Sequence, residues 1–183
     1  QMICHKSDRD PIISRVLFPE GELLATTKFR ANSRRPENML LGAAYQGWLQ
    51  SDARGNPRVP YRVKTTSFPF FEGTGLAAGD TLADVVGYEW DCRDPLGDGK
   101  RLWSPASRIA ELPANSVHVL FEGRPTDGEG KPGLAEAVYF TSPAGGRVFN
   151  AGTTRWAWGL GRAGFENAAF GKFNENLLAS MLA

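Results

Sequence analysis

The sequence is poor in the residues from which nucleophilic and metal sites are most often built. Its 183 residues include two cysteines and two histidines. No GxSxG, HExxH or CxxC string occurs, so a serine hydrolase, a zinc protease and a zinc finger are not predicted. His5 and His118 lie in predicted strands, where a lone histidine is usually a packing or surface residue. Cys4 and Cys92 favour two reduced thiols in a cytosolic protein over a disulfide.

An excess of one charge and long apolar runs are also missing. Lysine and arginine number 21 against 20 aspartates and glutamates and are scattered, so neither nucleic acid nor a membrane is an expected partner. No apolar run approaches the roughly 20 residues of a membrane span. Gln1 to His5 lack the charged and apolar regions of a secretory signal. We therefore expect one cytoplasmic domain over residues 1–183, long enough to bury a core.

The clearest local pattern is a predicted β-hairpin. Ala137 to Thr141 is a short run rich in β-branched and aromatic residues, and Arg147 to Ala151 is a second strand-like run. Ser142 to Gly146, which lies between them, contains a proline and two glycines and is typical of a turn. After the hairpin, the spacing of Trp156 and Trp158 predicts that both lie on one face of an extended segment.

The only convincing helix runs from Glu166 to Leu182, at the end of a chain that otherwise reads mostly as strands. A strand followed by a docked amphipathic helix is typical of the last β–α unit of an α/β sheet. The predicted fold class is therefore α/β and β-rich, with a β insertion ahead of a final amphipathic helix. The apolar stripe of that helix consists of Phe170, Phe173, Leu177 and Met181. Further strands are predicted at 2–5, 40–48, 61–65, 82–90, 108–112 and 117–123, with a glycine-rich loop at 73–80.

The most unusual string is Val86-Gly-Tyr-Glu-Trp-Asp91. Alternation along a strand would place Tyr88 and Trp90 on one face and Glu89 on the other. The residues before them are mostly apolar or glycine, so we expect this strand and Glu89 to be buried. A buried carboxylate requires an ion pair, hydrogen bonds or a metal ion. The residues alone leave a structural ion pair with an arginine and a metal ligand as open alternatives for Glu89.

Several strings occur in an order that resembles one known family. They share spacing and sequence with the C-terminal portion of the large (beta) subunit of N,N-dimethylformamidase and its relatives. The resemblance extends over nearly the whole chain. It is carried by Arg35-Pro-Glu-Asn-Met-Leu-Leu-Gly42, Gly73-Thr-Gly-Leu76 with Gly79-Asp80, Gly87-Tyr-Glu-Trp-Asp91, Val148-Phe-Asn-Ala-Gly-Thr-Thr-Arg-Trp-Ala-Trp-Gly-Leu160 and Asn174-Glu-Asn-Leu-Leu178.

The resemblance implies an iron-dependent amidohydrolase with a flavodoxin- or glutamine-amidotransferase-like α/β domain. In that family two tyrosines and one glutamate hold a single iron, which activates water to hydrolyse a small N-substituted formamide. The glutamate matches Glu89. Both tyrosine ligands belong to motifs that precede the region matched here, and the chain's own tyrosines do not sit in those motifs. These are Tyr45, Tyr61, Tyr88 and Tyr139.

By this resemblance the chain supplies one metal ligand of three. One expectation is that it is incomplete at its N-terminus and that a larger polypeptide or a small partner subunit completes the site. Missing strands would also expose a sheet edge and favour oligomers. The alternative is a non-catalytic binding or structural module in which Glu89 is ion-paired and the aromatic residues form a core or an interface. A third hypothesis places a small-ligand pocket near Gly152-Thr-Thr-Arg155.

Overall fold

The computed structural model describes residues 41–50, 57–93, 116–142 and 144–182. Within these ranges the protein is β-rich, with two sheets and a C-terminal helix, and every strand pairing is antiparallel. The strands are β1 (Ala44–Trp48), β2 (Arg62–Val63), β3 (Glu89–Cys92), β4 (His118–Gly123), β5 (Ala135–Thr141) and β6 (Arg147–Asn150). The helices are a 3-10 turn (Pro69–Phe71), α1 (Trp158–Gly161) and α2 (Ala168–Leu182).

The larger sheet has the strand order β2-β4-β5-β6 and contains the predicted hairpin. In the turn between β5 and β6, the backbone N–H of Ser142 donates to the carbonyl of Gly146 over 2.7 Å, and Gly145 takes a φ of 85°. A positive φ costs glycine little, because it has no Cβ. The hairpin prediction is therefore confirmed, with β5 starting two residues earlier than expected.

Helix α2 packs its apolar stripe against this sheet. Phe170, Phe173 and Leu177 are buried, and Met181 packs at the edge of the same core. The ring of Phe173 lies 4.9 Å from that of Phe121 on β4 and 5.5 Å from that of Phe70 in the 3-10 turn. The predicted helix and its stripe are confirmed, and the helix begins at Ala168 instead of Glu166.

The smaller sheet pairs β1 with β3 and is joined to the larger one by polar contacts and by the ring of Trp90, which is buried in the shared core. A bulge in β1 lies between Tyr45 and Gly47, and the ring of Trp90 covers Gly47 so closely that a Cβ there would be 2.6 Å from it. The glycine is therefore needed for close approach, as its position in the predicted strand 40–48 suggested. The side-chain oxygen of Gln46 accepts hydrogen bonds from the indole N–H of Trp90 and from the backbone N–H of Leu134.

Two predicted strands are shorter than expected, and one local prediction is wrong. The strand expected over 82–90 is confined to Glu89–Cys92, because residues 82–88 bond irregularly and Gly87 has a φ of 123°. The strand expected at 61–65 is limited to Arg62–Val63, with the predicted wet face at Arg62. Trp156 and Trp158 do not share an extended segment, because the backbone folds into successive turns there, with the N–H of Trp158 bonded to the carbonyl of Arg155.

The remaining outcomes concern the fold class, the other predicted strands and membranes. The β-rich character and the final helix are confirmed. In the described ranges, the strand that precedes this helix is β6, which belongs to an antiparallel sheet. The strand predicted at 117–123 is confirmed as β4. Those predicted at 2–5 and 108–112 lie outside the described residues. No helix within the described ranges is long and apolar enough to cross a membrane.

Candidate functional site

Glu89 is the first residue of β3 and lies at the surface end of the smaller sheet. Along β3, Trp90 and Cys92 are buried, while Glu89 and Asp91 are partly exposed on the opposite face. Glu89 is paired with Trp48 across the sheet. The expectation that Glu89 is buried is therefore wrong. Because the strand starts only at Glu89, the preceding Tyr88 leaves the alternation and is 48% exposed.

The hydroxyl of Thr153 holds the backbone that leads into Glu89. Its Oγ1 lies 2.7 Å from the carbonyl oxygen of Val85 and 2.6 Å from that of Gly87, and it accepts a hydrogen bond from the N–H of Gly87 over 2.9 Å. A hydroxyl has one proton, so Oγ1 donates to one of the two carbonyls at a time while it accepts from the N–H of Gly87. Thr153 therefore fixes a stretch that has no ladder hydrogen bonds of its own.

Thr154 extends the same arrangement to Glu89 itself. Its hydroxyl donates to the carbonyl of Gly87 over 2.9 Å and accepts from the N–H of Glu89 over 3.3 Å. The backbone N–H of Thr154 also donates to the carbonyl of Glu89 over 3.3 Å. The two threonines of Gly152-Thr-Thr-Arg155 thus bind the segment from Val85 to Glu89 to the end of the larger sheet.

A second carboxylate, Glu136, is the one that is actually buried. It is 3% exposed on β5 and forms an ion pair with Arg93, whose Nη2 lies 3.0 Å from Oε1. The backbone N–H of Arg93 donates to Oε2 over 2.8 Å, so both carboxylate oxygens are engaged. Arg93 immediately follows β3, and the ion pair therefore joins the two sheets. Sequence reasoning missed it because the strand was predicted to begin only at Ala137.

Tyr61 lies near this joint and is fully buried. Its hydroxyl donates to the carbonyl of Ala151 over 2.9 Å. Burial, and then the negative charges of Asp91 and Glu136, raise the pKa of Tyr61 well above its usual value. The phenol therefore stays protonated as a hydrogen-bond donor in the folded protein.

The other candidate residues are spread over the molecule. Tyr45 is opposite Asp91 in the pairing of β1 with β3, and Tyr139 packs on the rings of Phe68 and Phe70. His118 packs edge-on against Phe68, which agrees with a structural role. Cys92 is buried on β3, and Cys4 and His5 lie outside the described residues.

The segment after β6 does not line a described cavity. Arg155 is 2% exposed, donates to the carbonyl of Pro57 over 3.0 Å and stacks on the ring of Trp158. Burial, and then the charge of Arg162, lower the pKa of Arg155. Two open cavities of about 250 and 370 Å³ lie elsewhere. They are lined by residues 81–84 with 164–167 and by residues 66–69 with 71, 72 and 76.

A family model described as N,N-dimethylformamidase beta subunit-like, C-terminal, matches residues 1–169. The chain belongs to this family. The resemblance carried by the ordered strings is thereby confirmed, and the matched region contains both Glu89 and the two threonines that hold its backbone. A search of curated proteins found no match. Most of helix α2 lies beyond the matched region, since the helix spans Ala168–Leu182.

The described residues fit one part of the metal site that the family resemblance implies. Glu89 presents a partly exposed carboxylate, a hard oxygen ligand of the kind that Fe(III) prefers. No group of three histidine, cysteine, aspartate or glutamate side chains in the described ranges could hold a metal ion. Glu89 therefore fits as a contributor to an iron site, and the described acidic, cysteine and histidine residues do not form a complete one.

Proposed function

We propose that this chain contributes Glu89 to the metal centre of an iron-dependent amidohydrolase that hydrolyses a small N-substituted formamide. Family membership supports the type of reaction. The supporting observation on the site is the state of Glu89, which is partly exposed and, within the described residues, forms no ion pair. A carboxylate in that state can accept a metal ion without breaking an ion pair to any of the described residues.

Bound iron would supply a Lewis acid that polarises the formyl oxygen and lowers the pKa of a bound water. The chain's own part is to present an anionic oxygen in a fixed place. Glu89 provides that oxygen, and the hydrogen bonds of Thr153 and Thr154 to residues 85–89 limit where its backbone can move. Trp48, opposite Glu89 on β1, is 39% exposed and offers apolar surface beside the carboxylate.

In this proposal, the two tyrosine ligands come from sequence outside the chain. A larger polypeptide or a partner subunit would bring them to the exposed end of β3, and that polypeptide or subunit would also contribute the flavodoxin- or amidotransferase-like α/β layer. An oligomer could complete the site in the same way. Glu89 is accessible enough for this, since it lies at the partly exposed end of a two-stranded sheet.

The competing hypothesis is a non-catalytic binding or structural module. Two of its expectations can be compared with the structure. It expected Glu89 to be ion-paired, whereas the described ion pair of a buried carboxylate involves Glu136. It expected the aromatic residues to form a core or an interface. Trp90, Phe70 and Phe71 do lie in the core, and Phe68 and Trp156 pack against it. Core packing of this kind is compatible with either function.

Release of the amine from N,N-dimethylformamide and N-methylformamide tests the proposal. The assay uses iron-supplemented protein purified together with the polypeptides that accompany it in its native cells, because the chain by itself would supply one metal ligand of three. We expect turnover in the wild type and a loss of at least about 100-fold in Glu89→Gln, because a metal ligand has been neutralised. Glu129→Gln is the matched control, since Glu129 is an exposed carboxylate that pairs with Lys131. Equal rates in the wild type and Glu89→Gln would contradict the role of Glu89. No turnover in either would favour the non-catalytic module.

A further inference from the structure

The backbone before Glu89 is held mainly from one side. Residues 85–88 belong to no strand, and the N–H and carbonyl of Gly87 both bond to the Thr153–Thr154 segment. From the β1 side, the N–H of Leu49 donates to the carbonyl of Tyr88 over 2.7 Å. The backbone N–H of Arg155 also donates to the carbonyl of Gly87 over 2.8 Å. Glu89 thus enters β3 from an irregular turn that is held by backbone N–H groups together with the hydroxyls of Thr153 and Thr154.

Thr154 is the threonine whose hydroxyl reaches Glu89. This hydroxyl accepts from the N–H of Glu89 and donates to the carbonyl of Gly87. It therefore links the two residues on either side of Tyr88. The residue itself is exposed, unlike the partly buried Thr153. An exposed threonine contributes little to core packing, so its contacts with residues 87–89 are its main described interactions.

We propose that Thr154 is the positioning residue of Glu89. Its hydroxyl fixes the backbone at Glu89 and thereby the direction in which the carboxylate leaves the strand. This inference rests on the proposed function. A carboxylate that shares a metal ion with ligands from another polypeptide must point in one fixed direction. In metal sites generally, loss of a group that orients a ligand lowers metal affinity by about 10- to 100-fold.

The chain offers a set of closely matched variants. Thr154→Val keeps the shape of the side chain but can neither donate nor accept a hydrogen bond, whereas Thr154→Ser keeps the hydroxyl. Thr74→Val is the control. The hydroxyl of Thr74 donates to the carbonyl of Phe71 over 2.7 Å and accepts from the N–H of Leu76 over 3.2 Å, the same pattern in a different loop.

The test measures two quantities for each variant. Hydrogen exchange of the Glu89 amide, followed by NMR, reports whether its backbone is held. Binding of Fe(III), supplied as its nitrilotriacetate complex to the protein purified with the polypeptides that accompany it in its native cells, reports whether the carboxylate is correctly placed. For Thr154→Val we expect exchange at Glu89 to accelerate at least about 10-fold and iron affinity to fall at least about 10-fold. Thr154→Ser and Thr74→Val should both retain the wild-type values.

The outcomes separate this inference from the proposed function. Wild-type exchange at Glu89 and wild-type iron affinity in Thr154→Val would overturn the positioning role. A loss in Thr154→Ser equal to that in Thr154→Val would also overturn it, because the hydroxyl would then not be the active group. If the wild type binds no iron, the proposed function fails, and exchange at Glu89 alone decides whether Thr154 holds this residue.

Discussion

The four-stranded sheet and the two-stranded sheet are stabilised by different interactions. The larger one packs a continuous aromatic layer against helix α2, with the rings of Phe121 and Phe173 4.9 Å apart. The smaller one contributes the buried ring of Trp90 to the same core and is otherwise attached through hydrogen bonds and the ion pair between Arg93 and Glu136. Aromatic burial is non-directional and strong, whereas hydrogen bonds and ion pairs fix direction at a modest net gain in stability. The larger sheet therefore supplies stability, and the smaller one supplies the placement of Glu89.

The largest expected effect lies in the larger sheet. Phe173→Ala should lower the free energy of unfolding by about 3–5 kcal/mol, because it removes a fully buried ring and leaves a cavity. Urea unfolding followed by fluorescence measures this. Leu178→Ala on the same helix is the control and should cost about 0.5 kcal/mol or less, since Leu178 is 63% exposed. A loss below about 1 kcal/mol for Phe173→Ala would contradict the assigned role of this core.

The next effect lies at the joint between the sheets. Glu136→Gln should lower the free energy of unfolding by about 2 kcal/mol, because a buried charge-assisted contact becomes a weaker neutral one. The value is modest because the Arg93 side chain is 36% exposed and water can solvate it. Glu175→Gln, which removes an exposed pair with Lys172, should leave urea unfolding unchanged. Equal effects of both variants would mean that the joint is unimportant.

Tyr61 gives the joint a pH dependence at alkaline pH. Its pKa is raised in the folded state, so above about pH 10 the unfolded chain releases this proton first, and stability falls as the pH rises. Tyr61→Phe should cost about 1 kcal/mol at neutral pH through loss of the bond to Ala151. It should also reduce the alkaline slope by up to about 1.4 kcal/mol per pH unit. An unchanged slope in thermal or urea unfolding between pH 9 and 11 would contradict this.

The smallest expected effect is a gain in stability. Gly171 lies inside helix α2, and a Cβ at this position would have no neighbouring atom within 4 Å. Gly171→Ala should therefore raise the free energy of unfolding by about 0.5–1 kcal/mol through helix propensity. Thermal unfolding measures it, and a fall in the melting temperature would show that the helix packs more tightly there than described.

The same contrast between the sheets explains what the sequence could predict. The hairpin of β5 and β6 and the helix α2 follow from local signals, namely alternation, turn residues and a spacing of three to four. Those signals depend on neighbours in the chain and need no knowledge of the tertiary structure. Family membership was also predictable, because it is carried by ordered strings that include Gly87-Tyr-Glu-Trp-Asp91.

The surroundings of Glu89 depend on distant residues and could not be predicted locally. The mostly apolar stretch 82–86 indicated burial correctly, and Leu82, Val85 and Val86 are buried. They do not form a strand, because their backbone groups bond irregularly, for example from the N–H of Val86 to the carbonyl of Val59. The hydrogen bond from the N–H of Glu89 to the hydroxyl of Thr154 joins residues 65 positions apart, and the ion pair between Arg93 and Glu136 joins residues 43 positions apart.

The central claim is that Glu89 belongs to an iron site, and metal content tests it most directly. Elemental mass spectrometry would compare the wild-type protein with Glu89→Gln and with the control Glu129→Gln. Each is produced in iron-supplemented native cells and purified with the polypeptides that accompany it, because the chain by itself would supply one metal ligand of three. We expect iron near stoichiometry in the wild type and in Glu129→Gln, and loss of iron in Glu89→Gln. Equal iron in all three proteins, or iron in none of them, would contradict the claim that Glu89 of this chain holds iron.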